Sequence, residues 1–310
     1  MPPRTRYLKY LALLVLALFV SGVVYVAGKT PKIVDAAVAK VVVDLQKNQG
    51  IYLSLGQISV EGFLTVRVDG FKLEKKDIGL FVQAKSIKAR LSPLGYWFDS
   101  NPVSRLEIDT PEVMAKIDLN LKDSKTESFK PNFALNELII HQGRADIMLN
   151  DKVLQIVNIE TNSKITPRLL DIRSLLIQTP EVNFLAEGKV LFGDSEHLGL
   201  GSDIELKLNG KLGEIPEIRR FPILLDADVN IEGRLRYVTR ERGFEFEGHT
   251  KMIGIKIDTV SIASLSSAVF VHQKGLELRN AEVGFAGTTV RLKAGLKFDK
   301  QLHFSGEVDA

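Results

Sequence analysis

Beyond Ile51 the chain alternates apolar and polar residues with a period of two and seldom departs from it. Val113, Ala115, Ile117, Leu119 and Leu121 alternate with Met114, Lys116, Asp118 and Asn120, and Ile204, Leu206 and Leu208 alternate with Glu205 and Lys207. Val229, Ile231, Gly233, Leu235 and Tyr237 alternate with Asn230, Glu232, Arg234 and Arg236, and the pattern returns at Val290, Leu292, Ala294, Leu296 and Phe298. Successive side chains of a strand point to opposite faces, so each run predicts a strand with one dry face and one wet face. Asn209-Gly210, Arg242-Gly243, Lys274-Gly275, Asn280 and Gly287 carry turn chemistry. They predict strands joined by hairpins.

Upstream of Ile51 the period is helical. Ile33, Val34, Ala37, Val38, Val41, Val42 and Leu45 recur at helical spacing, with Thr30 as N-cap, Pro31 at the first helical position and Gly50 as the stop. This predicts an amphipathic helix over residues 30–50, packed over the end of a sheet or lying on a membrane surface. Before it, Tyr10 to Ala27 run without a charge. At 1.5 Å per residue this stretch spans about 27 Å as a helix, close to the ~30 Å hydrocarbon core. Arg4, Arg6 and Lys9 precede it. The positive-inside rule therefore places the N-terminus in the cytoplasm and everything after Lys29 on the far side. The expectation is an uncleaved single-pass anchor. A cleaved signal peptide is the alternative, although its apolar region normally runs about 7–15 residues.

One phrase occurs twice: "IDTPEV" at Ile108 to Val113 and "IQTPEV" at Ile177 to Val182. A residue before proline is pushed toward extended geometry, and proline fixes φ near −65° without offering an N–H. Thr-Pro-Glu therefore reads as a corner that closes one strand and turns the chain into the next.

Composition narrows the function classes. With 310 residues, 45% of them hydrophobic, the chain can bury a substantial core. A net charge of +3 from 41 basic and 38 acidic residues, evenly scattered, excludes the basic face of a nucleic-acid binder. With no cysteine there is no disulfide framework and no thiolate chemistry. The most suggestive polar cluster is Asp194, Ser195, Glu196 and His197, but adjacent residues rarely converge and no G-x-S-x-G elbow is present, so it reads as a polar turn. His141, His197, His249, His272 and His303 show no metal-ligand spacing. Gly199 and Gly201 lack the third glycine and the following helix of a nucleotide loop. The expectation is a chain without catalytic residues, metal or cofactor.

The stretch "LGQISVEGFLTVRVDGFKLEKKD", continuing through "LFVQAKSIKARLSPLGYWFDSNPVSRLEIDTPEVMAKIDL" and closely following a positive-inside anchor, resembles the start of the AsmA-like proteins of bacterial envelopes. "FALNELIIHQGRADIMLND" and "LQIVNIE", within Phe133 to Glu160, are similar to that family's later strand-turn-strand pattern. The resemblance covers roughly residues 1–190, and beyond them only the alternation continues. It implies a long, twisted antiparallel β-sheet curled into an open groove or trough, whose apolar concave face holds lipid acyl chains. It implies no catalytic residue. The groove-lining candidates are Val113, Ala115, Ile117, Leu119, Leu121, Ile204, Leu206, Leu208, Val229, Ile231, Leu235, Leu292, Leu296 and Phe298.

Physics asks for a cover of some kind. A one-sided sheet of many strands must hide its dry face, and no amphipathic helix is predicted after residue 50. That face must meet a second sheet, itself by curling, or a lipid. Three segments are expected: a membrane anchor over 1–29, the amphipathic helix over 30–50 and a β groove domain over 51–310 with repeated strand-corner units. Two function classes are consistent with these segments. The first is a bacterial inner-membrane protein, its bulk in the periplasm, that holds or conducts phospholipid for outer-membrane lipid transport or assembly. The second is a membrane-tethered β-sandwich or barrel with a structural or interaction role and no lipid cargo. The alternating end Leu302, Phe304, Gly306 and Val308 reads as a fragment boundary or as an open edge for an envelope partner or further strands.

Overall fold

The computed structural model describes residues 51–61, 65–76, 79–92, 103–117, 134–149, 152–192, 201–214, 225–239, 243–257, 259–285, 287–298 and 302–309. The expected anchor over Tyr10 to Ala27 and the expected helix over 30–50 lie outside the described residues. Among the described residues no helix is long and apolar enough to cross a membrane.

The described chain is mainly β, and its strands pair mostly antiparallel. In chain order the first nine are β1 (Ile51–Ser54), β2 (Ile58–Glu61), β3 (Thr65–Lys75), β4 (Leu80–Leu91), β5 (Val103–Asp109), β6 (Glu112–Ile117), β7 (Leu135–Leu149), β8 (Lys152–Thr166) and β9 (Leu169–Gln178). The rest are β10 (Val182–Leu191), β11 (Asp203–Lys211), β12 (Leu225–Thr239), β13 (Gly243–Ile257), β14 (Val260–His272), β15 (Gly275–Phe285), β16 (Thr288–Phe298) and β17 (Leu302–Asp309). A 3-10 turn, Leu212–Glu214, comes after β11. Two compact units share the chain: Met1–Asp118 with Asp146–Val153, and Leu119–Ala145 with Leu154–Ala310.

In the first unit β3 carries β1 on one end and β2 on the other, with Leu53 opposite Leu73 and Ile58 opposite Val68. β4 runs along its other side, Val68 opposite Ile87 and Leu73 opposite Val82. β5 and β6 then both lie on β4. Asp109 is opposite Ser86 and Glu112 opposite Gln83, so the chain crosses Thr110-Pro111 without leaving its partner strand. The corner expected at the first TPEV copy is not there. Instead Thr110 has φ 48°, and the register sets it opposite Lys85, as it does Gly70 of β3, which has φ 74°. Along all three strands the apolar positions change parity at this line, from Val68, Ile87 and Ile108 to Leu73, Val82 and Val113. A left-handed residue in a strand re-aims the side chains beyond it, as a bulge does.

In the second unit β8 to β17 form an up-and-down meander in which each strand pairs antiparallel with the next. Here the second TPEV copy is a true corner between β9 and β10. Asn183 is opposite Gln178, and the Thr179 N–H donates to the Val182 carbonyl at 2.8 Å. Thr179 Oγ1 accepts the N–H of Val182 at 3.0 Å and of Glu181 at 3.3 Å. Turns fall as expected beside Lys274-Gly275 and at Gly287, which has φ 84°. Two of the expected turns are strand interior. Asn209-Gly210 lies inside β11, where a Cβ on Gly210 would stand 2.8 Å from the Glu181 carbonyl oxygen. Glycine is needed there for the close approach of the Thr179 corner, not for a turn. Asn280 lies inside β15, at a bulge with φ 52°.

Candidate functional site: the apolar face of the second unit

Paired residues of antiparallel strands point to the same side, so the registers determine which side chains share a face. One row runs from Leu175 through Ala186, Leu206 and Gly233 to Gly248 and Val269. It continues opposite Leu278, Ala294 and Gly306. A second row runs from Ile172 past Gly188, Ile204 and Leu235 to Phe246, Val271 and Leu276. A third joins Ile177, Phe184, Leu208 and Ile231 to Thr250 and Ser267. These rows make one apolar face across β9 to β15.

The opposite face is wet. Glu187, Glu205, Arg234 and Glu247 stand in one row and Leu185, Lys207, Glu232 and His249 in the next. Ion pairs lace it: Asp203 with Arg234 at 2.5 Å, Arg236 with Glu247 at 2.9 Å and Lys207 with Glu232 at 3.3 Å. The hydrogen bond from Arg234 to Asp203 pushes the guanidinium above its usual pKa. These pairs are solvated, and their worth lies in keeping this face in water rather than in stability.

The dry face is covered at one end and not along its length. Ala227, Val229 and Ile255 are buried together, with Leu212, Ile231, Met252, Ile257, Ile262 and Leu265 packed against them. Elsewhere Leu175, Phe184, Leu206, Leu208, Leu235, Phe246, Val269 and Leu278 are only half-buried. Besides Pro111, only nine residues with apolar side chains are buried among the described residues, and five of these are alanines. Large side chains of this face therefore keep apolar surface that no described element hides.

Two polar residues interrupt the face. Thr250 and Ser267 are opposite one another, 2% and 1% exposed. Ser267 Oγ donates toward the Ala268 carbonyl at 2.8 Å and the Arg279 carbonyl at 3.2 Å, beside the β15 bulge. The buried hydroxyl is thus satisfied by backbone acceptors. Thr250 Oγ1 is buried without a partner.

Of the groove candidates, Ile204, Leu206, Leu208, Ile231 and Leu235 come together on this face. Val229 shares it but belongs to the packed end. On β16, Leu292 pairs with Ala281, Leu296 stands opposite Leu276 in the second row, and Phe298 pairs with Leu302. Val113 and Ala115 are half-buried on β6 of the first unit, with Val113 opposite Val82, and Ile117 ends that strand. Leu119 and Leu121 lie outside the described residues. Missed were Leu170, Ile172, Leu175 and Ile177 of β9, whose alternation changes parity at an irregularity near Arg173 and Ser174. Also missed were Phe184, Phe246, Val269, Val271 and Leu276, whose signal is the same alternation of apolar and polar positions.

No family model, curated protein or solved structure matches the chain.

Proposed function

We propose that this chain is a membrane-anchored protein of the bacterial envelope that holds or conducts phospholipid acyl chains along the apolar face of its sheet. In this reading Tyr10 to Ala27 cross the inner membrane, residues 30–50 form an amphipathic helix and the β region occupies the periplasm. The sheet curls into a trough of the AsmA-like kind, and the work served is outer-membrane lipid transport or assembly. No catalytic step, metal or cofactor is assigned.

The observation that carries the reading is the continuity of the dry face. Two of its rows stay free of polar side chains through β9, β10, β11, β12 and β13 and the third through β12, while the partner face is charged and much of the apolar surface stays uncovered. Uncovered apolar area costs about 25 cal/mol per Å² relative to burial, so a face of this length favours an apolar occupant. Acyl chains supply one without directional bonds. The packed cluster of Ala227, Val229 and Ile255 favours the second reading, a tethered structural protein whose sheet closes on itself without cargo.

Organic extraction of the purified full chain, with mass spectrometry of the extract, separates the two. The lipid reading expects phospholipid in stoichiometric amount after detergent exchange. A lipid-free extract from folded protein would support the structural protein instead.

A further inference from the structure

A ladder of amides crosses the wet face of the second unit. Asn158 is opposite Gln178, Gln178 opposite Asn183, Asn183 opposite Asn209, and Asn209 opposite Asn230. Lys251 stands next in register. The first half of the ladder is satisfied within the protein. Asn158 Nδ2 donates to Gln178 Oε1 at 2.9 Å, and Gln178 Nε2 donates to Asn183 Oδ1 at 2.9 Å. Past Asn183 the bonding stops. Among the described residues no side-chain hydrogen bond joins Asn183 to Asn209 or Asn209 to Asn230, and Asn230 Oδ1 is buried with no partner. A ladder built only for stability would close its bonds along its whole length, because each orphaned buried group costs about 1–3 kcal/mol.

The open half of the ladder floors a cleft of about 560 Å³. Such a volume suits a small-ligand site, which typically spans about 300–1,000 Å³. The second TPEV corner bounds the cleft on one side through Thr179, Pro180 and Glu181, and Ile253 and Lys251 line it on another. Pro180 is exposed and Ile253 is 49% exposed, so both offer apolar surface at its flanks. Three carboxylates, Glu181, Glu214 and Asp228, stand against two lysines, Lys211 and Lys251, and Lys211 pairs with Glu214 at 3.5 Å. This balance repels phosphate and nucleic acid. Every strand flanking the amides is paired on both sides, so no sheet edge is open there for a peptide to extend.

The geometry points to a binding site for a neutral, extended glycan that runs across the strands over Asn183, Asn209 and Asn230. Adjacent strands are ~4.8 Å apart. The rungs therefore repeat at close to the length of one pyranose in an extended β-1,4-linked chain; Asn183 and Asn209 can each donate to one hydroxyl and accept from another, and Asn230, whose Oδ1 is buried, offers its Nδ2 as a donor. The site is on the face opposite the lipid surface and does not rest on that reading.

The test is calorimetric titration of the full chain, in a detergent without a sugar headgroup, with chitotetraose, with maltotetraose and with an uncharged extended peptide. Saturable binding of chitotetraose is expected, stronger than that of the curved α-1,4 maltotetraose. Asn209→Leu and Asn230→Leu should each weaken it tenfold or more, whereas Asn158→Leu, in the satisfied half, should leave it within twofold. Lys251→Ala, on an exposed side chain, serves if an Asn variant fails to fold, and should weaken binding at least threefold. The assignment is overturned by no saturable heat with chitotetraose up to millimolar concentration, by equal affinity in the Asn209, Asn230 and Lys251 variants, or by saturable binding of the peptide without the glycan.

Discussion

Gly233 faces Gly248 across the β12–β13 ladder, and the ring of Phe246 lies over both: a Cβ on either glycine would stand 2.7 Å from Phe246 Cζ. The pair lets an aromatic ring lie along the sheet instead of standing up from it, and the ring in turn shields the bare backbone of the two glycines. The dry face is thus low and smooth at its middle row.

Replacing Gly248 by Ala should destabilise the protein by roughly 1–3 kcal/mol, the usual range for forcing volume into an occupied site. Trimming the ring should restore only part of this. A Cβ at Gly248 also meets the Glu232 carbonyl oxygen, which is backbone and cannot be trimmed. Denaturant unfolding of Gly248→Ala, Phe246→Ala and the double variant gives the coupling, and an unchanged midpoint in Gly248→Ala would contradict the geometry.

Thr110 and Thr179 begin the same word and should respond oppositely to substitution. Thr110 sits at φ 48° with Oγ1 buried and unpartnered. Thr110→Gly therefore relieves a left-handed backbone that a branched side chain disfavours and should leave stability unchanged or raise it by up to about 1 kcal/mol. Thr179 Oγ1 accepts two backbone N–H groups of the β9–β10 corner, so Thr179→Val should lower stability by about 1 kcal/mol. Thermal melts of the two variants check the sign; equal losses would mean that the two threonines play the same part.

Prolines of the two copies should differ as well. Pro180 is exposed in a turn, and Pro180→Ala should cost about 1 kcal/mol or less through unfolded-state entropy. Pro111 is buried opposite Ala84 on β4, so Pro111→Ala opens a small gap as well and should be the more destabilising of the pair. A larger loss at Pro180 in urea unfolding would reverse this assignment.

A charge on the dry face should have two outcomes by position. Ile255 is 4% exposed in the packed cluster, and Ile255→Asp should unfold the protein because a buried unpaired charge is severely penalised. Leu206 is half-buried in the open rows, so Leu206→Asp should remain folded and lose co-purified phospholipid. Glu205→Ala, on the wet face, should do neither. Circular dichroism with lipid quantification distinguishes them, and unfolding by Leu206→Asp would mean that this stretch is sealed.

How much of this was legible depends on what period two can carry. The dry faces of β11 and β12 could be read directly, because Ile204, Leu206, Leu208, Ile231 and Leu235 alternate without interruption. β9 could not, since its parity changes near Arg173 and Ser174, where one residue falls out of register. The repeated TPEV was visible as a word but not as a geometry: the chain beyond Thr110 stays on β4, while the chain beyond Thr179 folds back on β9, and only the partner strands decide between them. Asn209-Gly210 has turn composition yet sits in a strand, because the glycine answers to Glu181 across the sheet. The amide ladder needs registers between strands, and its members are scattered over more than 70 positions of sequence, from Asn158 to Asn230.

The lipid surface is tested most directly by a photo-crosslinking residue placed at Leu206 and, in a second variant, at Lys207, with the full chain in its membrane. The two positions are adjacent in β11 and project to opposite faces. Irradiation and mass spectrometry should recover phospholipid adducts from position 206 and none from 207. Adducts at both positions alike, or at neither, would contradict an acyl-chain site on the apolar face.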